Sequence, residues 1–410
     1  MLRVMMITSN KFPIPTVLGG SVETLIQYLV DENMKKQRIK LKVYSIDDPL
    51  ARKVYDEQYK GADIVYIKRT RMDVLWEKWW FITRLSLKLF KRILFSNPFT
   101  KKVYSDLKSK DFDFVVFEGN YYEKGSYICE KIDRRKMIIH WHQETAGNSL
   151  IAKLFSKHIC ISNYTARFLS SSGHVRFEDV IVLRNCANLE LFSQPLTDNC
   201  RDELLKSYGF QESDFIISFI GRLIPEKGVR ELLLAFKEVC RVKENCKLLI
   251  IGSSNFGYDA ISPYQEELIS LAGDLKDKIV FTGYLHHDEM WKSLKLSEVS
   301  VFPSVCNEGA GMVGLEVMAA SVPLITTNVG GIPEYVDVDA SIVIDWDKDF
   351  VRNLSDSIIM LMDDEEKRDT MKQLGYEHVQ QYSVSKYYDD FCDLLDAVYE
   401  ENRKDTADVN

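Results

Sequence analysis

Short apolar runs alternate with stretches of helical periodicity along the whole of this 410-residue chain. Thirteen such runs, of which Met137–Trp141 and Phe215–Ile220 are typical, are mostly aliphatic and aromatic and lack regular alternation with polar residues. Runs of this kind are typical of strands buried on both faces of a parallel sheet that helices cover. Because thirteen strands in one open sheet would be unusual, the pattern predicts an α/β protein with two doubly wound parallel-sheet domains.

The pattern is interrupted between Leu191 and Asp214, where the polar sequence SQPLTDNC precedes a short polar helix. We therefore expect an N-terminal domain at residues 1–192 and a C-terminal domain at residues 193–375. Residues 376–410 should form a last helix, followed by a polar tail that is expected to fray.

Composition narrows the class of protein. Hydrophobic residues make up 46% and charged residues 28%, which is typical of a globular protein. The N-terminal MLRVMMIT is too short an apolar run for a signal peptide, and no run approaches the roughly 20 apolar residues of a membrane span. Eight cysteines without a C-x-x-C pair favour a reducing compartment. We therefore expect a cytoplasmic protein, and the net charge of −8 argues against nucleic-acid binding.

One segment departs from this acidic balance. Residues 66–110 contain 12 Lys and Arg against 3 Asp and Glu. On a helical wheel, residues 71–95 separate an apolar face from a basic one, and the residues that define these faces are Trp76, Trp79, Trp80, Lys88, Lys91 and Arg92. Such a helix is typical of one lying on an anionic membrane surface, which would make the protein peripheral at the inner face of the cell membrane. A helix that packs its apolar stripe on the domain core explains the pattern equally well.

The sequence NEGAGMVGLEVMAA contains two carboxylates, Glu308 and Glu316, separated by glycines. It predicts a tight loop that opens a buried helix from Met312 to Ala320. Backbone N–H groups and the positive end of the dipole at such a helix start attract phosphate. Both carboxylates could then contact a polyhydroxy ligand whose phosphate lies on the amides. Alternatively, Glu308 is solvated and Glu316 only interacts with the helix dipole.

The strand Phe215–Ile220 continues directly into GRLIPEKG. Gly221 permits a sharp turn, Arg222 leaves the carboxyl end of the strand, and Lys227 follows five residues later. Ligands of open α/β sheets bind at these carboxyl ends, and two cations there would neutralise a diphosphate. The alternative is that the charges of this loop are solvated.

The first half of the chain offers weaker signals. Gly19-Gly20 precedes a helix, but there is neither a G-x-G-x-x-G nor a P-loop pattern, so a dinucleotide oxidoreductase or a P-loop NTPase is not indicated. His140 and His142 share one side of a strand end and resemble a metal pair. No third ligand sits at metal spacing, so we expect no metal. A histidine in this position is suited to hydrogen-bonding a substrate hydroxyl.

Taken together, Gly19-Gly20 with Glu23, GRLIPEKG, and NEGAGMVGLEVMAASVPLITTNVGGIPEYV resemble the retaining glycosyltransferases of family 4, the group 1 type. The resemblance covers residues 1–388 and is most specific in the second half. It implies the GT-B architecture, in which two Rossmann-like domains face a cleft and a C-terminal helix crosses back to the first domain.

The resemblance also implies roles for single residues. Arg222 and Lys227 would hold the donor diphosphate, Glu316 the ribose hydroxyls, and Glu308 the transferred sugar. His142 matches the catalytic-loop histidine of the family. The amides of Met312 and Val313 would help to hold the phosphates, and Gly20 would line the opposite side of the cleft. The resemblance adds Gly221, Gly309 and Gly311 to the donor-binding positions.

The implied activity is retaining transfer of a hexose from a nucleotide-sugar donor to a saccharide acceptor. The acceptor would be lipid-linked, for instance to undecaprenyl diphosphate, in the biosynthesis of capsule, exopolysaccharide or lipopolysaccharide. No cofactor is expected. A sugar-nucleotide epimerase on the same fold and a catalytically silent glycosyltransferase-like subunit are the alternatives. The sequence leaves open the nucleotide base (UDP, GDP or dTDP), the sugar, the linkage and the oligomeric state.

Overall fold

The computed structural model describes residues 1–9, 11–68, 98–109, 111–119, 132–254 and 261–407. All thirteen expected strands are present in this part of the chain. They are β1 (Arg3–Ile7), β2 (Lys40–Ile46), β3 (Asp63–Ile67), β4 (Phe114–Glu118), β5 (Met137–Trp141), β6 (Lys157–Cys160), β7 (Val180–Val182), β8 (Phe215–Ile220), β9 (Cys246–Ile251), β10 (Ile279–Phe281), β11 (Val299–Phe302), β12 (Leu324–Thr327) and β13 (Ser341–Ile344).

The α-helices of the described residues separate most of these strands. They are α1 (Ser21–Lys36), α2 (Pro49–Val54), α3 (Pro98–Leu107), α4 (Ser149–Leu154), α5 (Asn163–Ser170), α6 (Leu189–Phe192), α7 (Asp198–Tyr208), α8 (Val229–Val242), α9 (Pro263–Ala272), α10 (His287–Leu294), α11 (Met312–Ala319), α12 (Phe350–Asp363), α13 (Glu365–Val379) and α14 (Val384–Ala407).

The strands form two separate parallel sheets. Seven strands make the first sheet in the order β3-β2-β1-β4-β5-β6-β7, and six make the second in the order β10-β9-β8-β11-β12-β13. The described pairs of both sheets are parallel, as in the register Val4 to Phe114 between β1 and β4. The expected fold class, two doubly wound α/β domains, is confirmed.

Strand β8 illustrates why the sequence lacks alternation. Ile216 and Ile220 pack into an apolar cluster on one face of the second sheet, and Ile217 and Phe219 pack into another on the opposite face. Each of these four side chains is at most 2% exposed. Successive residues of a strand point to opposite faces, so a sheet covered by helices on both sides requires apolar residues at every position.

The chain divides into two compact units. The first unit comprises Met1–Arg184 together with Ser385–Asn410, and the second comprises Asn185–Val384. The boundaries expected from the sequence lie at 192/193 and 375/376.

Helix α14 contacts the C-terminal end of α1 within the first unit. Lys36 Nζ lies 2.8 Å from Asp389 Oδ2, and Tyr388 Oη donates to Asn33 Oδ1 at 2.7 Å. Just after α1, Arg38 Nη2 lies 2.6 Å from Asp393 Oδ1.

The basic, tryptophan-rich segment falls outside the described residues. The segment includes all the residues that were expected on its two faces, namely Trp76, Trp79, Trp80, Lys88, Lys91 and Arg92. Within the described ranges, none of the helices combines the length and the apolar character needed to cross a bilayer.

Candidate active site

The second sheet has one point at which its strand order reverses. From β8 the chain moves outward through β9 to β10, and it then returns to the other side of β8 with β11. In open α/β sheets, the loops beyond the carboxyl ends of the two strands at such a switch point diverge and leave a crevice for ligands. The segments after β8 and β11 contain the predicted donor-site residues of the second unit; the remaining one, Gly20, belongs to the first unit.

Lys227 and Glu308 meet at this switch point. Lys227 ends the 3₁₀ turn Pro225–Lys227 after β8, and Glu308 lies in the loop after β11. Lys227 Nζ donates to Glu308 Oε1 at 2.5 Å, and Ser304 Oγ donates to the same oxygen at 2.7 Å. The side chains of Lys227 and Glu308 are 16% and 18% exposed. The two predicted residues, 81 positions apart in sequence, therefore form one partly buried ion pair.

The backbone around Gly228 packs closely against the loop after β11, and this contact holds Lys227 next to Glu308. Gly228 has φ +69°, and a Cβ at this position would lie 1.9 Å from the carbonyl oxygen of Pro303. The amide of Val305 donates to the carbonyl of Glu226 at 3.0 Å. The turn that carries Lys227 thus lies directly on the loop that leads to Glu308, and only a residue without a side chain allows this distance.

The remaining predicted positions around β8 and β11 lie in the same two loops. Gly221 and Arg222 directly follow β8, and the Arg222 side chain is exposed. Gly309 follows Glu308 in the β11 loop, and Gly311 is the N-cap of α11. Met312 and Val313 are the first residues of α11, so helix geometry leaves their amides without an intrahelical acceptor. The expected helix is confirmed, ending one residue earlier at Ala319.

The loop after β12 also contacts the backbone of Glu308, and the sequence analysis did not predict this contact. The amide of Gly331 donates to the carbonyl of Glu308 at 2.7 Å. Gly330 has φ +58°, and a Cβ there would lie 2.3 Å from that same carbonyl oxygen. The pair of glycines in NVGGIPEYV is the sequence signal for this contact, although nothing local indicates which segment it meets.

Glu316 lies within α11, and its partner is a second residue that the sequence reasoning missed. His287 Nε2 lies 3.0 Å from Glu316 Oε1, and the two side chains are 29% and 7% exposed. Burial alone would lower the pKa of His287, but the hydrogen bond to Glu316 and the charges of Glu316 and Asp288 outweigh it and raise the pKa above 6.5. The imidazole therefore holds the carboxylate in place, and more strongly when it is protonated.

Replacing His287 by glutamine should lower the free energy of unfolding more at pH 5.5 than at pH 9. The folded-state pKa of His287 is raised, so its stabilisation is complete below the unfolded value of 6.5 and is lost as the pH rises through the folded value. Urea denaturation at the two pH values measures the difference. His286→Gln is the control, because the side chain of His286 is 48% exposed. An equal loss at both pH values would contradict the assignment.

Gly20 and His142, the predicted residues of the first unit, lie in the segments that follow β1 and β5. Gly20 is the N-cap of α1, next to the carboxylate of Glu23. His142 follows β5 directly, and its Nε2 lies 2.7 Å from Oε2 of Glu118, the last residue of β4. His140 Nδ1 lies 3.1 Å from the same oxygen. The sequence analysis missed Glu118 because β4 and β5 are neighbours only in the folded sheet.

Glu118, His140 and His142 also have the donor types of a zinc site. One ligand atom from each lies within 4.8 Å of the others. The contacts to Glu118 Oε2, at 2.7 and 3.1 Å, are shorter than the ~3.3 Å that separates nitrogen and oxygen ligands around tetrahedral zinc. The 2.7 Å distance fits a hydrogen bond between His142 and Glu118 better than a zinc site.

The fold defines the class of protein: two Rossmann-like units in one chain, the GT-B architecture. Solved glycosyltransferases share it. The chain matches a glycosyltransferase from Rickettsia africae with a TM-score of 0.75 and 15% identity, over 97% of this chain and 98% of that one. It matches Anabaena Alr3699/HepE in complex with UDP-glucose with a TM-score of 0.72 and 16% identity, over 97% of this chain and 100% of that one.

The sequence of the second unit is similar to a known family. Residues 201–378, less than half of the chain, match the model described as glycosyl transferases group 1. A GDP-mannose-dependent monoacylated alpha-(1-6)-phosphatidylinositol monomannoside mannosyltransferase of Corynebacterium glutamicum is 31% identical over 54% of this chain and 56% of its own length. The capsular polysaccharide biosynthesis glycosyltransferase CapM of Staphylococcus aureus is 30% identical over 62% of this chain and 60% of its own length. These alignments span little more than half of each relative.

Proposed function

We propose that this protein is a retaining glycosyltransferase that transfers a hexose from a nucleotide-sugar donor to a saccharide acceptor. The observation that carries the proposal is the cluster at the switch point of the second sheet. Lys227 and Glu308 form an ion pair there, and the loop that carries Glu308 leads into α11, which contains the first-turn amides of Met312 and Val313 and the carboxylate of Glu316; residues 201–378 match the group 1 model. Cations and amides bind phosphate, and carboxylates bind sugar hydroxyls.

Each group has a role in this proposal. Lys227 and Arg222 neutralise the diphosphate of the donor, together with the amides of Met312 and Val313. Glu316, held by His287, accepts hydrogen bonds from the ribose hydroxyls, and Glu308 orients the transferred sugar. Lys227 donates a hydrogen bond to Glu308, so donor phosphates would share or replace this contact and thereby couple the sugar and phosphate parts of the site.

The reaction we propose is a front-face substitution. The bond between the anomeric carbon and the phosphate oxygen breaks, the acceptor oxygen bonds to the same face of the sugar, and the acceptor proton moves to the departing phosphate. No protein nucleophile is required. The contribution of the protein is to stabilise the negative charge that grows on the diphosphate. Lys227 and Arg222 supply positive charge for this purpose, so we propose that no metal ion is needed.

The proposed acceptor is a lipid-linked saccharide in surface-polysaccharide assembly. The names of two relatives support this choice, since one acts on a phosphatidylinositol mannoside and the other belongs to capsule biosynthesis. The basic, tryptophan-rich segment at residues 71–95 would bring the enzyme to the anionic surface that carries such an acceptor.

The activity is tested with a panel of UDP-, GDP- and dTDP-sugars, first for binding by saturation-transfer NMR and then for turnover in EDTA. The proposal expects nucleotide release that requires an acceptor, and a product whose anomeric configuration equals that of the donor. An altered nucleotide sugar formed without acceptor would indicate an epimerase instead. Binding without any turnover would indicate a silent subunit, and activity lost in EDTA would contradict the metal-free mechanism.

The triple substitution of Lys88, Lys91 and Arg92 by glutamate should abolish flotation with anionic liposomes at low salt. Each cation near such a surface contributes about 1 kcal/mol, so loss of three weakens binding by about a hundredfold before the added repulsion is counted. Glutamate at Lys206, Lys276 and Lys367 is the matched control, because these exposed lysines of the second unit give the same change in net charge. Unchanged flotation of the first variant, or none of the wild type, would refute membrane contact.

A further inference from the structure

The first sheet has a switch point of its own, between β1 and β4. Four polar side chains occupy the carboxyl ends of the strands around it. Ser9 comes two residues after β1, Glu23 is in the first turn of α1, Glu118 ends β4, and His142 follows β5. By the rule that places ligands at such points, this cluster lies where the first unit would bind one.

The cluster contains a buried carboxylate and a nearly buried imidazole in direct contact. Glu118 is 1% exposed, the His142 side chain is 9% exposed, and Glu118 Oε2 lies 2.7 Å from His142 Nε2. Among the described residues, neither His142 Nδ1 nor Glu118 Oε1 has a hydrogen-bond partner, although both atoms are buried. His140, fully buried, lies 3.1 Å from Glu118 Oε2 without hydrogen-bond geometry.

The 2.7 Å contact determines which imidazole nitrogen carries the proton. An unprotonated nitrogen and a carboxylate oxygen at that distance would repel each other, so one proton must lie between them. Burial would raise the pKa of Glu118, but His140 and His142 outweigh it and hold the pKa at about 2. The proton therefore belongs to Nε2 of His142. Burial lowers the pKa of His142, as does His140, so the ring is neutral near pH 7 and Nδ1 keeps a lone pair.

Glu23 completes the surroundings of His142. Ser9 Oγ donates to Glu23 Oε1 at 2.7 Å. Burial raises the pKa of Glu23, against the lowering effects of that hydrogen bond and of His142 and Lys11. Glu23 interacts electrostatically with His142, so two carboxyl groups with opposite pKa shifts act on one imidazole, an arrangement that is typical of functional sites.

We propose that Glu118 is a positioning residue: it accepts a hydrogen bond from Nε2–H of His142 and so fixes the tautomer whose Nδ1 accepts a hydrogen bond from a saccharide hydroxyl. The inference concerns the same reaction as the proposed function and rests on it for the identity of the ligand. The tautomer itself is a property of the protein alone. The hydroxyl belongs to either the donor sugar or the acceptor, because both have the same chemistry.

The test is ¹⁵N NMR of the histidine-labelled protein, with the signals of His142 identified by their loss in His142→Gln. The wild type should show the Nε2–H tautomer, and Glu118→Gln should show a mixture, because an amide can either donate or accept. Glu32→Gln, at another buried carboxylate of the first unit, should leave the tautomer unchanged. If Glu118→Gln does not fold, the tautomer of the wild type still decides the question.

Glu118→Gln should also lower kcat by about ten- to a hundredfold, the usual effect of removing the partner that orients a functional histidine. A loss seen in slow donor hydrolysis as well as in transfer places the hydroxyl on the donor, and a loss in transfer alone places it on the acceptor. Glu118→Asp should restore the Nε2–H tautomer in part, which a purely structural role does not require.

Three results would overturn the proposal: a proton on Nδ1 in the wild type, an unchanged tautomer in Glu118→Gln, or about one zinc per chain that Glu118→Gln loses. Failure of the proposed function is distinguishable from these. If no donor and acceptor pair gives transfer but His142 has its proton on Nε2, the function is wrong and the tautomer assignment stands. If transfer occurs and the proton is on Nδ1, only the positioning role fails.

Discussion

Replacing Lys227 by alanine should lower turnover by about 10²–10³-fold, the effect of removing one preorganised donor from a developing oxyanion. The Lys227 side chain is only 16% exposed and its ammonium is fixed by Glu308, so water cannot replace it without loss of orientation. Because the charge on the leaving diphosphate grows as the glycosidic bond breaks, the loss should appear mainly in kcat. Nucleotide release in the presence of acceptor measures it.

Arg222→Ala should act in the same direction, since Arg222 leaves the carboxyl end of the same strand. Lys276→Ala is the matched control: it removes an exposed lysine that precedes β10, at the opposite edge of the sheet, and should not change turnover. Transfer at the wild-type rate by both Lys227→Ala and Arg222→Ala would contradict the phosphate site, even if the domain binds a nucleotide sugar.

The sequence was sufficient to predict the sheets and the loops at their ends. Strands such as Met137–Trp141 and Phe215–Ile220 were predicted at the residues where they occur, because a strand covered on both faces is apolar at every position. Lys227 and Glu308 were assigned to one donor site by the family resemblance, and each lies in a loop after a strand of the second sheet. Their direct contact, however, depends on the order of the strands.

The residues that the sequence analysis missed are the hydrogen-bond partners of predicted site residues. His287 reaches Glu316 across 29 positions, and Glu118 reaches His142 across 24. A histidine at a helix start and a glutamate at a strand end have no local pattern that reveals such a partner. Register and sheet order, which are set by packing throughout each unit, decide these contacts. The periodicity of apolar residues along the sequence carries no information about these long-range contacts.

Gly228→Ala should destabilise the second unit by roughly 2–5 kcal/mol, and its matched control is Gly209→Ala. Both glycines have φ +69°, with ψ 21° at Gly228 and 26° at Gly209. An alanine in this left-handed conformation costs about 1–2 kcal/mol at either position. A Cβ at Gly209 meets nothing within 4 Å, whereas one at Gly228 would lie 1.9 Å from the Pro303 carbonyl oxygen. The difference between the variants therefore isolates the clash, which adds about 1–3 kcal/mol.

The same pair of variants separates stability from the site. To relieve the clash, the turn that carries Lys227 must move away from the β11 loop, so Gly228→Ala should weaken binding of the nucleotide-sugar donor while Gly209→Ala leaves it intact. Urea denaturation gives the free energies of unfolding, and saturation-transfer NMR below the transition gives the binding. Equal destabilisation by the two substitutions would show that the loops can separate without loss. The contact at Pro303 would then not be what holds Lys227 against Glu308.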